Sequence, residues 1–436
     1  MKNRLIVLIT FLALIFGTTL ISSEPEKREF VESVSTFVCP AKKESVTGVI
    51  QLGRKGVKNA VIDKKNRALK KSKARSISMG SRARVVAGDA ATPLAVTSKS
   101  ATWLALSQCN SSAGEFWFVG GTADVSSLGY FEFTNENLGK AIIDVELWSE
   151  DGSESTRTLT IPPRTTKNYS LTTFTPGKKL TAFHIVSRSG LVSATLFDER
   201  RKGLTTYGGD YVSPNGAPSK SVVMVGIPGP KFVKSSKISS QKLRLFVPGD
   251  IDSVIQVNYI TPSGIFAPVG LDSLRVPAQK VVEVNLSNLP KDRFFSLQIL
   301  ASEPLVASTL TRGTFDKKRE IIWSSSTEAV SGESIVLPEL PGYLSIVSNA
   351  QEASFTVTKN NGKKSKVKVR IDSMAVWKVP ASARAIQLDS SNEAMYLALA
   401  ISGSSGVSAT TLAPAQAKEV TELPVVDSSL YIPTAG

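Results

Sequence analysis

The sequence predicts an all-β protein: tandem immunoglobulin-like β-sandwich repeats that follow an N-terminal signal or anchor segment. Three observations predict it. Short runs alternate apolar and polar residues, as in Ala141-Ile142-Ile143-Asp144-Val145-Glu146-Leu147. Runs of this kind recur in three sets of similar order, punctuated by Gly turns such as Asp151-Gly152, Ser263-Gly264 and Asn361-Gly362. Helical periodicity is nearly absent, so a period of two dominates the chain. An internal repeat of alternating strands and Gly turns is the pattern of tandem β-sandwiches.

Taken in chain order, the first element is residues 1–23. Lys2 and Arg4 precede an apolar run from Leu5 to Phe16, and a polar exit at Ser22-Ser23 follows. Basic residues, an apolar core and a polar exit make an export signal. Both candidate cleavage points lack a small residue at the outer recognition position. Leu5 to Ile21 reaches about 25 Å as a helix, enough to span a thin bilayer. Two readings therefore stay open, a removed signal peptide and an uncleaved membrane anchor. Both place the remaining mass outside the cytoplasm, so the protein is expected to be extracytoplasmic, membrane-anchored by its N-terminus or secreted.

Residues 24–108 read as N-terminal strands and a basic, mobile arm. A possible strand ends at Cys39-Pro40. Between Lys42 and Arg84 lie fourteen Lys or Arg and two acids, so this stretch holds +12 of the net +15 charge of the chain. Like charges in a block repel, which predicts a solvated segment. Its apolar runs, Val49 to Leu52 and Ala60 to Ile62, read as edge strands. Order returns at Pro93 to Val96 and Thr102 to Leu106, leaving open whether this region is an extra, degenerate unit. The candidate residues for an anionic surface are Lys64, Lys65, Arg67, Lys70, Lys71, Lys73 and Arg75. The partners this implies are an anionic membrane surface or a cell-wall polymer. Other envelope proteins are further candidates, and no nucleic acid is expected.

Cys39 and Cys109 are the two cysteines. An even count in an exported chain predicts a disulfide. The expected bridge ties the ends of the basic arm to the first sandwich.

The three repeats follow as β-sandwich 1 at 109–215, β-sandwich 2 at 216–326 and β-sandwich 3 at 327–436. The first closes on Ala182-Phe183-His184-Ile185 and Leu191 to Leu196. The second closes on Leu297 to Leu300 and Leu305 to Leu310, and the third on Tyr396 to Leu399 and Gly406 to Thr410.

Few residues invite chemistry. The single histidine, His184, lies in an alternating strand, and no G-x-S-x-G motif accompanies it. One His and two separated Cys do not make a zinc site. No phosphate loop, dinucleotide fingerprint or calcium loop occurs. No catalytic, cofactor-binding or metal-ligating residue is therefore assigned, and no cofactor is expected. Asp144, Glu146, Asp198, Glu199 and Asp210 lie in or near the first repeat, and paired carboxylates could serve glycoside hydrolysis. Alternation alone also explains Asp144 and Glu146 as a solvent face. Trp117, Trp148, Trp323 and Trp377 read either as a sugar platform or as sandwich core and rim.

The stretch from Cys109 through Glu115-Phe116-Trp117-Phe118-Val119-Gly120-Gly121, the Cys39-Pro40 pair and the step Val225-Gly226-Ile227-Pro228-Gly229 resemble a known family. It is a domain of unknown function found in exported proteins of actinobacteria. Ala41 stands where that family usually has a glycine. The resemblance implies an exported or membrane-anchored envelope protein of repeated β-sandwiches and brings no catalytic residues. The expectation is a non-catalytic binding or structural protein of the envelope. The alternative is an extracytoplasmic glycan-processing hydrolase that uses carboxylates.

Overall fold

The computed structural model describes residues 29–30, 36–65, 68–87, 91–99, 102–389, 393–414 and 421–422. The signal or anchor segment 1–23 lies outside the described residues. Glu29–Phe30 and Thr421–Glu422 pair antiparallel with each other, in a unit separate from residues 35–416. Among the described residues no helix is long and apolar enough to cross a membrane.

Residues 36–412 form four copies of one topology. Each copy has eight strand positions, a to h, split between sheet a-f-c-d and sheet e-b-g-h. Module II shows the plan: Glu115–Val119, Tyr130–Asn135, Ala141–Ser149, Arg157–Ile161, Thr165–Ser170, Thr181–Ser189, Ser193–Lys202 and Thr205–Val212. Its strand c buries alternate residues, Ala141, Ile143, Val145 and Leu147, against Phe118, Phe131, Phe133 and Phe183. That is the period-two pattern of a half-buried strand.

Module III runs Ser219–Pro228, Lys237–Phe246, Ser253–Thr261, Leu274–Val276 and Val281–Asn285. Its positions f and g are fused in the 22-residue strand Phe294–Phe315, which pairs in both sheets, and Lys318–Ser325 is position h. Module IV runs Ser334–Val336, Gly342–Ser348, Glu352–Lys359, Lys364–Arg370, Met374–Lys378, Ala383–Leu388, Met395–Gly403 and Gly406–Leu412.

The N-terminal region is a fourth copy, module I, and this corrects the expectation of a mobile arm. Its strands are Thr36–Cys39, Val46–Gln51, Lys58–Val61, Lys70–Lys71, Ser76–Ser78, Arg84–Ala87, Leu94–Lys99 and Trp103–Gln108. The basic block therefore supplies positions b to f. The reason is that few apolar side chains suffice when a cystine joins them. Phe37, Ile50, Leu52, Val57, Met79, Val86 and Ala95 pack around Cys39 and Cys109, while Lys58, Lys70 and Lys71 stay exposed.

The predicted disulfide is present, Cys39 to Cys109 across 70 residues, with both cysteines buried. It joins position a of module I to the residue after position h, rather than tying an arm to the next sandwich. Beside it Val38 and Asn110 exchange backbone hydrogen bonds of 2.8 and 3.2 Å.

The four h strands meet one another in a closed cycle: I with II, II with III, III with IV, and IV with I. Side chains carry hydrogen bonds across this axis. The Leu104 N–H donates to Glu320 Oε1 (3.1 Å) and the Leu106 N–H to Ser408 Oγ (2.9 Å). Ser408 Oγ donates to Asp210 Oδ1, and the Trp323 N–H to Asp210 Oδ2, both at 2.9 Å. The cycle is closed a second time by Ala91–Thr92, which lies between positions f and g of module I and adds a parallel strand to Ser334–Val336 of module IV. Gly406 marks how tight the axis is. It sits at φ +150°, and a Cβ there would collide with Glu320 Oε1.

The seam between modules I and II carries a pH-dependent prediction. Glu132 is 3% exposed and accepts hydrogen bonds from the Ala41 N–H at 3.0 and 3.2 Å. Burial pushes its carboxyl from 4.5 up to about 8, against the opposing pull of the Ala41 N–H and of Lys43. A raised carboxyl contributes stability that is fully present below pH 4.5 and is lost as pH rises to about 8. At pH 7 that loss amounts to about 3 kcal/mol at 1.36 kcal/mol per unit. Glu132→Gln keeps an acceptor for Ala41 and removes the titration. Its denaturation midpoint should fall by less between pH 5 and 8 than that of the wild type. Parallel curves for the two proteins would refute this assignment.

Candidate anion-binding cleft

In module I the chain crosses from the sheet containing Lys70–Lys71 to the sheet containing Ser76–Ser78. The two edges leave a cleft of about 520 Å³ at this crossing. Its wall includes Asn59, Lys70, Lys71, Lys73, Ser76, Ser78 and Arg84 and, among the described residues, no Asp or Glu. Strand alternation sets the placement. Asn59 and Arg84 lie on neighbouring strands, Lys58–Val61 and Arg84–Ala87, and Arg84 Nη1 donates to Asn59 Oδ1 at 2.7 Å. Asn59 is itself held by donating to the Lys70 carbonyl at 3.1 Å. The half-buried Arg84 thus has an amide partner rather than a carboxylate, and burial holds its guanidinium below the ordinary value.

Among the described residues, no carboxylate lies within ion-pair distance of Lys70, Lys71, Lys73 or Arg84. Four cations around a concave wall raise the local potential for anions. The donors are point charges and one planar fork, the groups that bind phosphate or carboxylate.

Lys70, Lys71 and Lys73 of the predicted anionic-surface set come together here. Lys64 and Lys65 lie outside the cleft, in the exposed turn after Lys58–Val61, where the Lys65 N–H donates to Asp63 Oδ1 at 3.0 Å. Arg75 is half-buried and is not part of the wall. Arg67 lies outside the described residues. Arg84 and Asn59 were absent from the sequence-based set. The β-branched run Val85-Val86 marks a strand, but only the pairing of two strands brings Arg84 beside Asn59.

The other residues singled out in the sequence have partners within the fold. Asp198 and Asp210 are fully buried. Asp198 Oδ2 accepts from Trp323 Nε1 and Arg200 Nε, each at 2.9 Å. Burial pushes the carboxyls of Asp210 and Glu320 well above the usual range, opposed by their hydrogen bonds to Trp323 and Leu104 respectively. Glu199 pairs with Lys99 at 2.7 Å on the module I–II seam. Asp144 bonds Thr158 and Arg188.

His184 bridges Glu146 and Glu115, both at 2.8 Å, and stacks on Trp117 at 3.8 Å between centroids. Trp117 and Trp148 also pack on Phe246 of module III, so they line a seam rather than an open platform. Trp323 is at the axis, and Trp377 packs edge-on to Phe355.

Comparison with known proteins adds the following. The model of a family described as "Family of unknown function (DUF5719)" matches residues 80–375, more than half of the chain. No curated protein matches the chain. A similar solved structure is the crystal structure of a tetra-tandem repeat in the extending region of a large adhesion protein. Identity is 10%, with 86% of this chain and 93% of that chain covered, at a TM-score of 0.11.

Proposed function

This chain belongs to the DUF5719 family of unknown function, and on that premise we propose that it is a non-catalytic binding protein of the cell envelope. In this reading it is exported, tethered or released through residues 1–23, and holds an anionic polymer or membrane surface in the cleft of module I. The observation that carries the reading is the wall of that cleft: Lys70, Lys71, Lys73 and Arg84 with no acidic residue among them. The rigid setting supports it. A cystine and a closed cycle of modules fix the strands that carry these cations, so little backbone ordering opposes binding. A buried bridge also suits an oxidising compartment.

Point substitutions are the appropriate test, because deleting residues 42–84 would remove strands b to f of module I. Lys70, Lys71 and Lys73 are exposed, so Lys70→Gln, Lys71→Gln and Lys73→Gln combined should leave the fold intact. Wild-type protein is expected to co-sediment with anionic vesicles or with wall fragments at low salt and to be released as salt rises. Each lysine near a charged surface contributes about 1 kcal/mol, so the triple variant should lose most of its retention. Retention equal to wild type would remove the cleft as the binding site.

A further inference from the structure

Module IV carries a second basic surface, unrelated in sequence to the cleft. The hairpin of Glu352–Lys359 and Lys364–Arg370 holds six Lys or Arg and one acid between residues 352 and 370. Lys364–Arg370 is the edge strand of its sheet. Alternation turns Lys364, Lys366, Lys368 and Arg370 outward, while Val367 and Val369 pack on the core. The register sets a hydroxyl beside each lysine: Thr358 opposite Lys364, Thr356 opposite Lys366 and Ser354 opposite Lys368. Lys368 pairs with Glu352 at 2.7 Å and Arg370 with Asp372 at 3.2 Å. Among the described residues no carboxylate lies within ion-pair distance of Lys364 or Lys366.

We propose that this ladder binds a linear polyol phosphate, a chain of phosphodiesters joined by short carbon units. The spacings match. Alternate residues on a strand stand about 6.7 Å apart. Six backbone bonds separate successive phosphorus atoms in a three-carbon polyol phosphate, and an extended chain advances about 3.5 Å per three bonds. The repeat is therefore about 7 Å, and consecutive phosphates meet consecutive cations. The neighbouring hydroxyls donate to phosphate oxygens or to the polyol. The outward positions of the hairpin carry no aromatic ring, which sets the surface apart from platforms that stack nucleic-acid bases. Lysines on an edge strand also deter strand pairing, but that role needs neither the regular interval nor the hydroxyl row.

This surface is distinct from the cleft and is tested separately from it. The full chain is titrated against synthetic poly(glycerol phosphate) by fluorescence anisotropy across a salt series, as wild type and as Lys364→Gln/Lys366→Gln. The variant should bind about thirtyfold more weakly at low salt. Its log–log salt slope should shrink by about 1.4, at roughly 0.7 per lost single-strand contact. Lys364→Arg/Lys366→Arg should retain wild-type binding. Making the same substitutions in the Lys70/Lys71/Lys73 glutamine background should give the same decrement, which keeps the two surfaces distinct. An unchanged affinity and slope in the glutamine variant would overturn the proposal. Tighter binding of poly(dT), or of polygalacturonate, with the same dependence on Lys364 and Lys366 would overturn the choice of partner.

Discussion

Removing the Cys39–Cys109 bond is expected to lower the stability of module I by about 4 kcal/mol in the chain-entropy account of a 70-residue loop. The bond joins the first strand of the module to the residue after its last, so reduction frees both ends of the unit at once. The core offers little compensation, since strands Lys70–Lys71 and Ser76–Ser78 are only two and three residues long. The check is guanidinium denaturation of wild type, reduced wild type and Cys39→Ser/Cys109→Ser. Trp103, buried on the module I–II seam, reports the first transition. That transition should move to markedly lower denaturant in the reduced and substituted proteins, while a later one is retained. A single unchanged midpoint in all three would contradict it.

Glu283→Ala is expected to cost about 3–5 kcal/mol, the usual penalty for leaving a buried charge without its partner. Arg244 is 1% exposed and lies on the face of module III that meets module II. Its Nη2 pairs with Glu283 at 3.0 Å, its Nη1 donates to the Gly121 carbonyl at 2.6 Å, and its guanidinium lies 5.1 Å from the Trp323 ring centroid. Lys242 adds a second cation to Glu283 at 2.7 Å. Burial works against ionisation of Glu283, yet the charges of Arg244 and Lys242 hold its carboxyl below the usual range. Replacing both partners by apolar groups, Arg244→Met/Glu283→Leu, should recover part of the loss: no buried charge is orphaned, since the partly exposed Lys242 can turn to solvent, but the Gly121 carbonyl loses its donor. Equilibrium denaturation of the two variants against wild type is the measurement. A cost below about 1 kcal/mol for Glu283→Ala would place the pair in the class of weak surface bridges instead.

Much of the fold was legible in the chain because a strand is a local object. Ala141 to Ser149 shows which side is buried by alternation alone, and Lys364 to Arg370 does the same with charges. Side chains on a pleated strand point to opposite faces whatever lies across the sheet. The cysteine pair was legible for a different reason: the chain has two thiols and an N-terminus that reads as an export signal, so each thiol has only the other as a partner.

Module I was not legible as a whole. Its strands are short and lysine-rich, and read alone they look solvated. They are held because Phe37, Ile50, Met79 and Val86, distant in sequence, close on one cystine. The cleft follows the same logic. Lys70, Lys71 and Lys73 could be named from their clustering, but Arg84 joins them through strand pairing.

The sequence by itself determined the strand content, the repeated order of strands and the basic character of residues 42–84. Only the tertiary structure decided that this block is a fourth sandwich, that the four modules close into a cycle, and that Glu132, Asp210, Arg244 and Glu320 are buried. The physical reason is range. A strand's alternation is written in neighbouring residues. Whether a carboxyl group is tolerated in the interior depends on partners such as Leu104 for Glu320 and Ser408 for Asp210, each about 200 residues away.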